Sequence, residues 1–163
     1  MPATLAQLTS EGLQFLHERH LATFSSRHAD GTPHVTPIGF TWDADHHIAW
    51  VITSGHSRKA RNATRGDPVA ICQVDGRRWI TLIGTPRVST DPDEIVAAVA
   101  RYTDRYRPPR LNPIRVAIAV SITGLLGSPT LVAHQAPPDI GAPGSRTCRG
   151  RCPPVARPRT NRT

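Results

Sequence analysis

The sequence predicts a mainly β fold with peripheral helices, in which six antiparallel strands close into a small barrel. Three observations carry this expectation. Short segments with period-two apolar alternation recur along the first 128 residues. Polar turns built on Asp30-Gly31, Asp43-Ala44-Asp45 and Asp75-Gly76 separate several of them, which is hairpin punctuation. Helical periodicity is confined to the N-terminus, a short internal segment and one longer stretch after Asp91. The expected organisation is one barrel domain over residues 1–128 and a Pro/Arg-rich disordered tail over residues 129–163.

Taken in order, residues 9–20 read as a helix that Thr9 or Ser10 can cap, with Glu11 in its first turn and Leu13, Phe15 and Leu16 at helical spacing. Residues 21–28 and 33–42 read as a hairpin about Asp30-Gly31. Pro33 and Pro37 lack N–H donors, so the second strand needs an edge or a bulge. In residues 47–53, Ile48, Trp50 and Ile52 alternate with Ala49, Val51 and Thr53. A short helix over residues 57–65 ends near Gly66 and Pro68. Residues 69–74 and 78–88 form a second hairpin, with Ile80, Leu82, Gly84 and Val88 opposite Trp79, Thr81, Ile83 and Thr85. After Asp91-Pro92 the stripe Ile95, Val96, Val99, Tyr102, Thr103 and Tyr106 makes the strongest helix, stopped by Pro108 and Pro109. Residues 115–126 alternate Val116, Ile118, Val120 and Ile122 against Arg115, Ala117, Ala119 and Ser121, a half-buried strand. From Pro129 onward the chain has seven prolines, six arginines and no aromatic residue, too little apolar area to offset the entropy of ordering it.

At 163 residues the chain suits one domain with a core. No apolar run is long enough to span a bilayer, and the N-terminus lacks a basic segment followed by an apolar one, so the expectation is a cytoplasmic protein with no membrane partner. Three scattered cysteines, Cys72, Cys148 and Cys152, argue against a disulfide scaffold. The formal net charge of +8 lies mostly in the tail. The expectation is therefore against a nucleic-acid partner, apart from weak contact through that basic tail. No metal is expected: Cys148 and Cys152 lack two further ligands at zinc spacing, and His46, His47 and His56 are not at ligand spacing with a carboxylate.

The stretch 47–62 is the candidate site. Thr53, Ser54, Gly55 and Ser57 supply hydroxyls and backbone N–H groups at a strand-to-helix turn, a setting suited to an anion. Lys59 is the single lysine among 20 basic residues. A compact ammonium there, in a chain otherwise committed to arginine, suits a phosphate as a point charge.

Several segments together resemble a known family. They are FLHERHLATF (residues 15–24), DGTPHVTPIGF (30–40), VITSGHSRKARN (51–62), CQVDGRRWITLIGT (72–85), RYRPPRLNP (105–113) and the strand end LLGS (125–128). Their pattern is similar to the split-barrel oxidoreductases related to pyridoxamine phosphate oxidase, in the branch that uses the deazaflavin coenzyme F-420. Within that branch they most resemble the F-420-dependent biliverdin reductases. The resemblance covers most of residues 9–128 and none of the tail. It implies a split β-barrel homodimer with coenzyme grooves at the subunit interface and hydride transfer to a small-molecule acceptor such as biliverdin or a quinone. It places the phosphate side of the coenzyme against Ile52, Thr53, Ser54, Ser57, Lys59 and Asn62, and the ring near His34, Thr36 and Pro37, with Trp79 close by. His34 is the first candidate for an acid or base. FMN is the alternative cofactor on the same fold, and a non-catalytic coenzyme-binding protein is the alternative to an enzyme.

Overall fold

A computed structural model describes residues 7–133. The element order is α1 (Ser10–His17), β1 (Ala22–Arg27), β2 (Pro33–Ile38), β3 (Thr41–Asp43), β4 (Ile48–Ser54), α2 (Arg58–Ala63), β5 (Val69–Asp75), β6 (Arg78–Ser89), α3 (Pro92–Arg105) and β7 (Arg115–Gly127). The caps follow the sequence. Thr9 accepts from the Gly12 N–H, Ser57 from Ala60, and Asp91 from Asp93 and Glu94, with Pro92 opening α3. Gly31 and Gly76 turn the two Asp-Gly hairpins at φ +85° and +59°. No helix among the described residues is long and apolar enough to cross a membrane.

All strands belong to one antiparallel sheet in the order β2-β1-β5-β6-β7-β4-β3. Its two edges, β2 and β3, are consecutive in the chain and separated by Gly39 and Phe40 alone. Three residue steps span at most about 10 Å, so the sheet must curl until its edges meet. That is barrel closure imposed by the chain itself.

The single strand expected over 33–42 is thus two, and the barrel has seven strands where six were expected. The break has an identifiable cause. The Phe40 carbonyl accepts from the Arg105 guanidinium, and the Phe40 N–H donates to the Tyr106 hydroxyl at 3.3 Å. Both backbone groups are taken by the end of α3 and its cap, so neither pairs with a neighbouring strand. A Cβ on Gly39 would come within 2.8 Å of the Tyr102 ring and 3.1 Å of Tyr106. Only glycine lets the chain pass under these two rings.

The barrel interior is filled by Phe24, Phe40, Ile71, Ile80, Leu82, Ile118 and Leu125, closed at one end by Phe15 and Leu16 of α1. Two further expectations need correction. β7 is buried on both faces over Val116–Val120 rather than half-buried, because α3 lies across β4 and β7 and the small Ala117 and Ala119 let it approach. Residues 129–133 do not belong to the tail either. Leu131 and Val132 are fully buried, Val132 bridges Leu8, and the Leu131 carbonyl accepts from the Thr9 N–H at 3.1 Å. Two apolar residues at the head of a Pro/Arg-rich segment suffice to dock it against α1. The rest of the expected tail, 134–163, lies outside the described residues, as do Cys148 and Cys152.

Replacing Leu131 by Ala removes a fully buried side chain from this seam and is expected to cost about 2–5 kcal/mol. Urea unfolding measures it; a loss under 1 kcal/mol would show that the segment after Ser128 is dispensable.

Candidate functional site

Three pieces of chain meet beside the mouth of the barrel: the end of β4, the first turns of α2, and the β2 edge. Ser57 caps α2 and in doing so orients a chain of donors. Lys59 Nζ donates to Thr53 Oγ1 at 3.3 Å, Thr53 donates to Ser57 Oγ at 3.1 Å, and Ser57 also accepts the Ala60 N–H at 3.2 Å. Counting protons shows what is left. Lys59 has three N–H donors and uses one; Ser57 accepts twice and has no acceptor among the described residues for its own proton. Two ammonium protons and one hydroxyl proton therefore remain for an oxygen-rich anion.

Lys59 has no carboxylate partner among the described residues, and burial lowers its pKa below the ordinary lysine range. A half-buried cation without a counter-ion is costly and calls for one from outside the protein. It lines a cavity of about 220 Å³ with Pro37, Ile38, Gly39, Ile52, Tyr102 and Arg115. A second cavity, of about 550 Å³, opens on the other side of α2 between Arg58, Arg61, Asn62, Arg65, His28 and Asp30. Neither Arg58 nor Arg61 has an acidic partner among the described residues. A third, of about 700 Å³, is largely apolar and lies between α2 and α3, lined by Val88, Ile95, Val96, Ile114 and Val116. It is the roomiest of the three, and Arg115, His56 and Asn112 also line it, but the Lys59 ammonium with its Thr53 and Ser57 partners belongs to the small cavity, so the donor set and not the volume identifies the site.

Of the residues predicted for the site, Pro37, Ile52 and Lys59 share the small cavity, and Thr53 and Ser57 are linked to Lys59 by hydrogen bonds. Ser54 closes the turn by accepting from Ser57 N at 2.9 Å. His34 and Thr36 are half-buried on β2, close enough for Lys59 and Arg58 to act on His34: burial first, then the charges of His28, Lys59 and Arg58, lower its pKa. Asn62 does not reach Lys59. It is buried, donates to Ser26 Oγ at 3.0 Å, accepts from Arg65 at 3.4 Å, and lines the arginine cavity instead. Trp79 stands apart from the others within one protomer. It pairs with Val74 next to the Gly127 end of β7, whereas Thr53 and Ser54 pair with Val116 and Arg115 at its start, roughly 35 Å of strand away.

Sequence reasoning missed Ser26, Tyr102 and Arg115. Ser26 had a readable signal: it is the polar residue at an inward position of β1, where Ala22 and Phe24 precede it at the same parity. His46 does have a carboxylate neighbour, Asp43 at 3.1 Å, but Arg101 shares that carboxylate at 3.0 Å. Among the described residues Glu18, His20 and Asp75 come within metal-ligand distance of one another, and Arg78 bonds both carboxylates. That cluster already has its cation.

The fold and the donor set together define a split-barrel protein with a cationic cleft. The sequence profile of pyridoxamine 5'-phosphate oxidase matches residues 8–126. The F420H(2)-dependent biliverdin reductase of Mycobacterium tuberculosis is 48% identical over 132 residues, covering 81% of this chain and 96% of that protein. Among solved structures, an F420 reductase superposes with TM-score 0.58 at 24% identity over 69% of this chain and 94% of its own. The haem storage protein HutZ of Vibrio cholerae does so with TM-score 0.61 at 18% identity, over 74% and 94%. These two establish the shared fold. The chain belongs to the pyridoxamine 5'-phosphate oxidase family.

Because the folded pKa of Lys59 lies below its unfolded value, the unfolded chain holds a proton that the folded chain lacks between the two, and the contribution of Lys59 to stability rises with pH across that window. A titration of the Lys59 ε-methylene by NMR is expected to show deprotonation below the ordinary lysine range. An ordinary value would contradict the half-buried, unpaired ammonium.

Proposed function

We propose that this chain is an oxidoreductase that binds the reduced deazaflavin coenzyme F-420 and delivers its hydride to an electron-poor organic acceptor such as biliverdin or a quinone. The single observation that carries the reading is Lys59, a half-buried ammonium with unspent donors and no counter-ion among the described residues, in the cleft of a chain 48% identical to an F420H(2)-dependent biliverdin reductase. The donor set fits the coenzyme: Lys59 and Ser57 would hold its phosphate, and Arg58, Arg61 and Arg65 would face a further anionic extension. The basic cavity favours this longer anionic ligand over FMN.

The coenzyme supplies the hydride chemistry when bound. The protein's own task is to bind, orient and keep water out. Ile52, Pro37, Ile38 and Tyr102 give the cleft an apolar wall, and no protein base is needed for hydride delivery itself.

The reading includes a homodimer. The 220 Å³ cavity is smaller than sites that enclose a whole cofactor, typically about 300–1,000 Å³. Val35, Val96, Leu111 and Ile114 are exposed apolar side chains on the segments around the cavities, and a second copy laid there would complete the groove. It would also be the means of bringing Trp79 to a site from which it is remote in its own protomer.

Lys59→Ala is expected to weaken F-420 binding by about 1–3 kcal/mol, the size of a lost charge-assisted contact. Equilibrium titration checks it, with FMN titrated in parallel. An unchanged dissociation constant removes Lys59 from the site, and tighter binding of FMN reassigns the cofactor. Steady-state oxidation of reduced F-420 by biliverdin separates an enzyme from a carrier, since a carrier gives no turnover.

A further inference from the structure

A line of hydrogen bonds runs from α2 through β1 to β2 with a defined direction. Arg65 can only donate, and it donates to Asn62 Oδ1 at 3.4 Å, with its other nitrogens bound to Asp67 and the Arg27 carbonyl. The carbonyl of the Asn62 amide therefore faces Arg65 and its NH2 faces Ser26, to which Nδ2 donates at 3.0 Å. Ser26 and Asn62 are 6% and 4% exposed, so neither can exchange these partners for bulk water. The Ser26 hydroxyl, having accepted from Asn62, has one proton to give, and His34 Nδ1 lies 3.4 Å away to receive it. A nitrogen that accepts carries no proton. The proton of the neutral imidazole is thereby assigned to Nε2, the ring nitrogen with no hydrogen-bond partner among the described residues.

We propose that Ser26 is a positioning residue that fixes the tautomer of His34, so that the ring presents a neutral Nε2–H donor to the ligand in the cleft. The inference rests on the coenzyme reading of that cleft. A neutral imidazole donating through Nε2 suits a carbonyl oxygen of a bound ring and cannot act as a base through that atom. His34 is then a hydrogen-bond donor and not the acid–base residue its position first suggests.

The surroundings support the same state. Doubly protonated His34 would turn Nδ1 into a donor facing Ser26, which would then have to accept from both sides and leave its own proton buried without an acceptor. The charged and titratable groups around the ring, His28, Arg58 and Lys59, are all basic, and His28 packs edge-on at 5.2 Å between ring centroids. Nothing facing the ring favours the imidazolium.

Long-range proton–nitrogen correlation spectra of histidine-labelled, coenzyme-free protein read the tautomer directly. His34 is expected to show a pyridine-type Nδ1 and a protonated Nε2. Ser26→Ala is expected to lose that single-tautomer signature and Ser26→Thr, which keeps the hydroxyl, to retain it. A wild-type spectrum with the proton on Nδ1, or a signature unmoved by Ser26→Ala, overturns the assignment with no reference to ligand. Addition of F-420 is expected to shift the Nε2 resonance. Binding of F-420 without that shift overturns the donor role and leaves the coenzyme reading standing; failure of F-420 to bind overturns the coenzyme reading, and the coenzyme-free spectra still decide the role of Ser26.

Discussion

The barrel and its cleft depend on one partly buried cation, Arg105. Its guanidinium donates to the Glu18 carbonyl at 2.6 and 3.0 Å, to Gln73 Oε1 at 2.8 Å and to the Phe40 carbonyl, and it lies 4.6 Å over the Phe40 ring and 5.1 Å over that of Tyr106. No carboxylate is among these partners. Burial lowers the pKa of Arg105 but leaves it charged, since a guanidinium does not give up its proton in a protein. Neutral carbonyls and two aromatic faces must therefore offset its desolvation, with hydrogen bonds to a charged group worth about 1.5–3 kcal/mol each and each ring contact about 0.5–2 kcal/mol. Gln73 passes the connection on by donating to the Phe15 carbonyl at 2.6 Å. One side chain of α3 so ties together the end of α1, the middle of β5 and the break between β2 and β3.

That break is what makes a cleft. With Phe40 held by α3, the chain leaves one sheet edge at Ile38 and joins the other at Thr41, and β2 remains an edge strand with no partner on its outer side among the described residues. Pro33 and Pro37, which could not donate to a second neighbour, are at home there. The same step places Gly39 and Tyr102 in the wall of the Lys59 cavity. Barrel closure and ligand site are two consequences of a single interruption in a strand, and the residues that enforce it lie in the RYRPPRLNP segment and not in the phosphate-binding stretch.

Much of this was legible in the sequence. Period-two patterning found the strands, Asp-Gly pairs found both hairpins, and the caps Thr9, Ser57 and Asp91 follow directly from local chemistry. The lone lysine pointed to the cleft, because a residue type used once in a chain stands out without any knowledge of the fold. The break at Phe40 was not legible: its cause is a backbone contact across 65 residues, and 33–42 keeps an unbroken strand pattern. Burial of Leu131 and Val132 was hidden by the prolines and arginines around them. Asn62, which the resemblance set beside Lys59, turns to the other flank of the short helix, where Ser26 and Arg65 satisfy it. Ser26 was legible only through parity, as the polar residue in step with the inward Ala22 and Phe24.

Removal of the Tyr106 hydroxyl tests the dependence of the site on the break most directly, since Tyr106→Phe keeps the ring and deletes the acceptor of the Phe40 N–H and the donor to the His20 carbonyl at 2.8 Å. Hydrogen exchange at the Phe40 amide and F-420 affinity are measured on the same variant. The account predicts faster exchange at Phe40 together with weaker binding, although Lys59, Thr53 and Ser57 are untouched. Full-strength binding in a variant whose Phe40 amide has been released would contradict it.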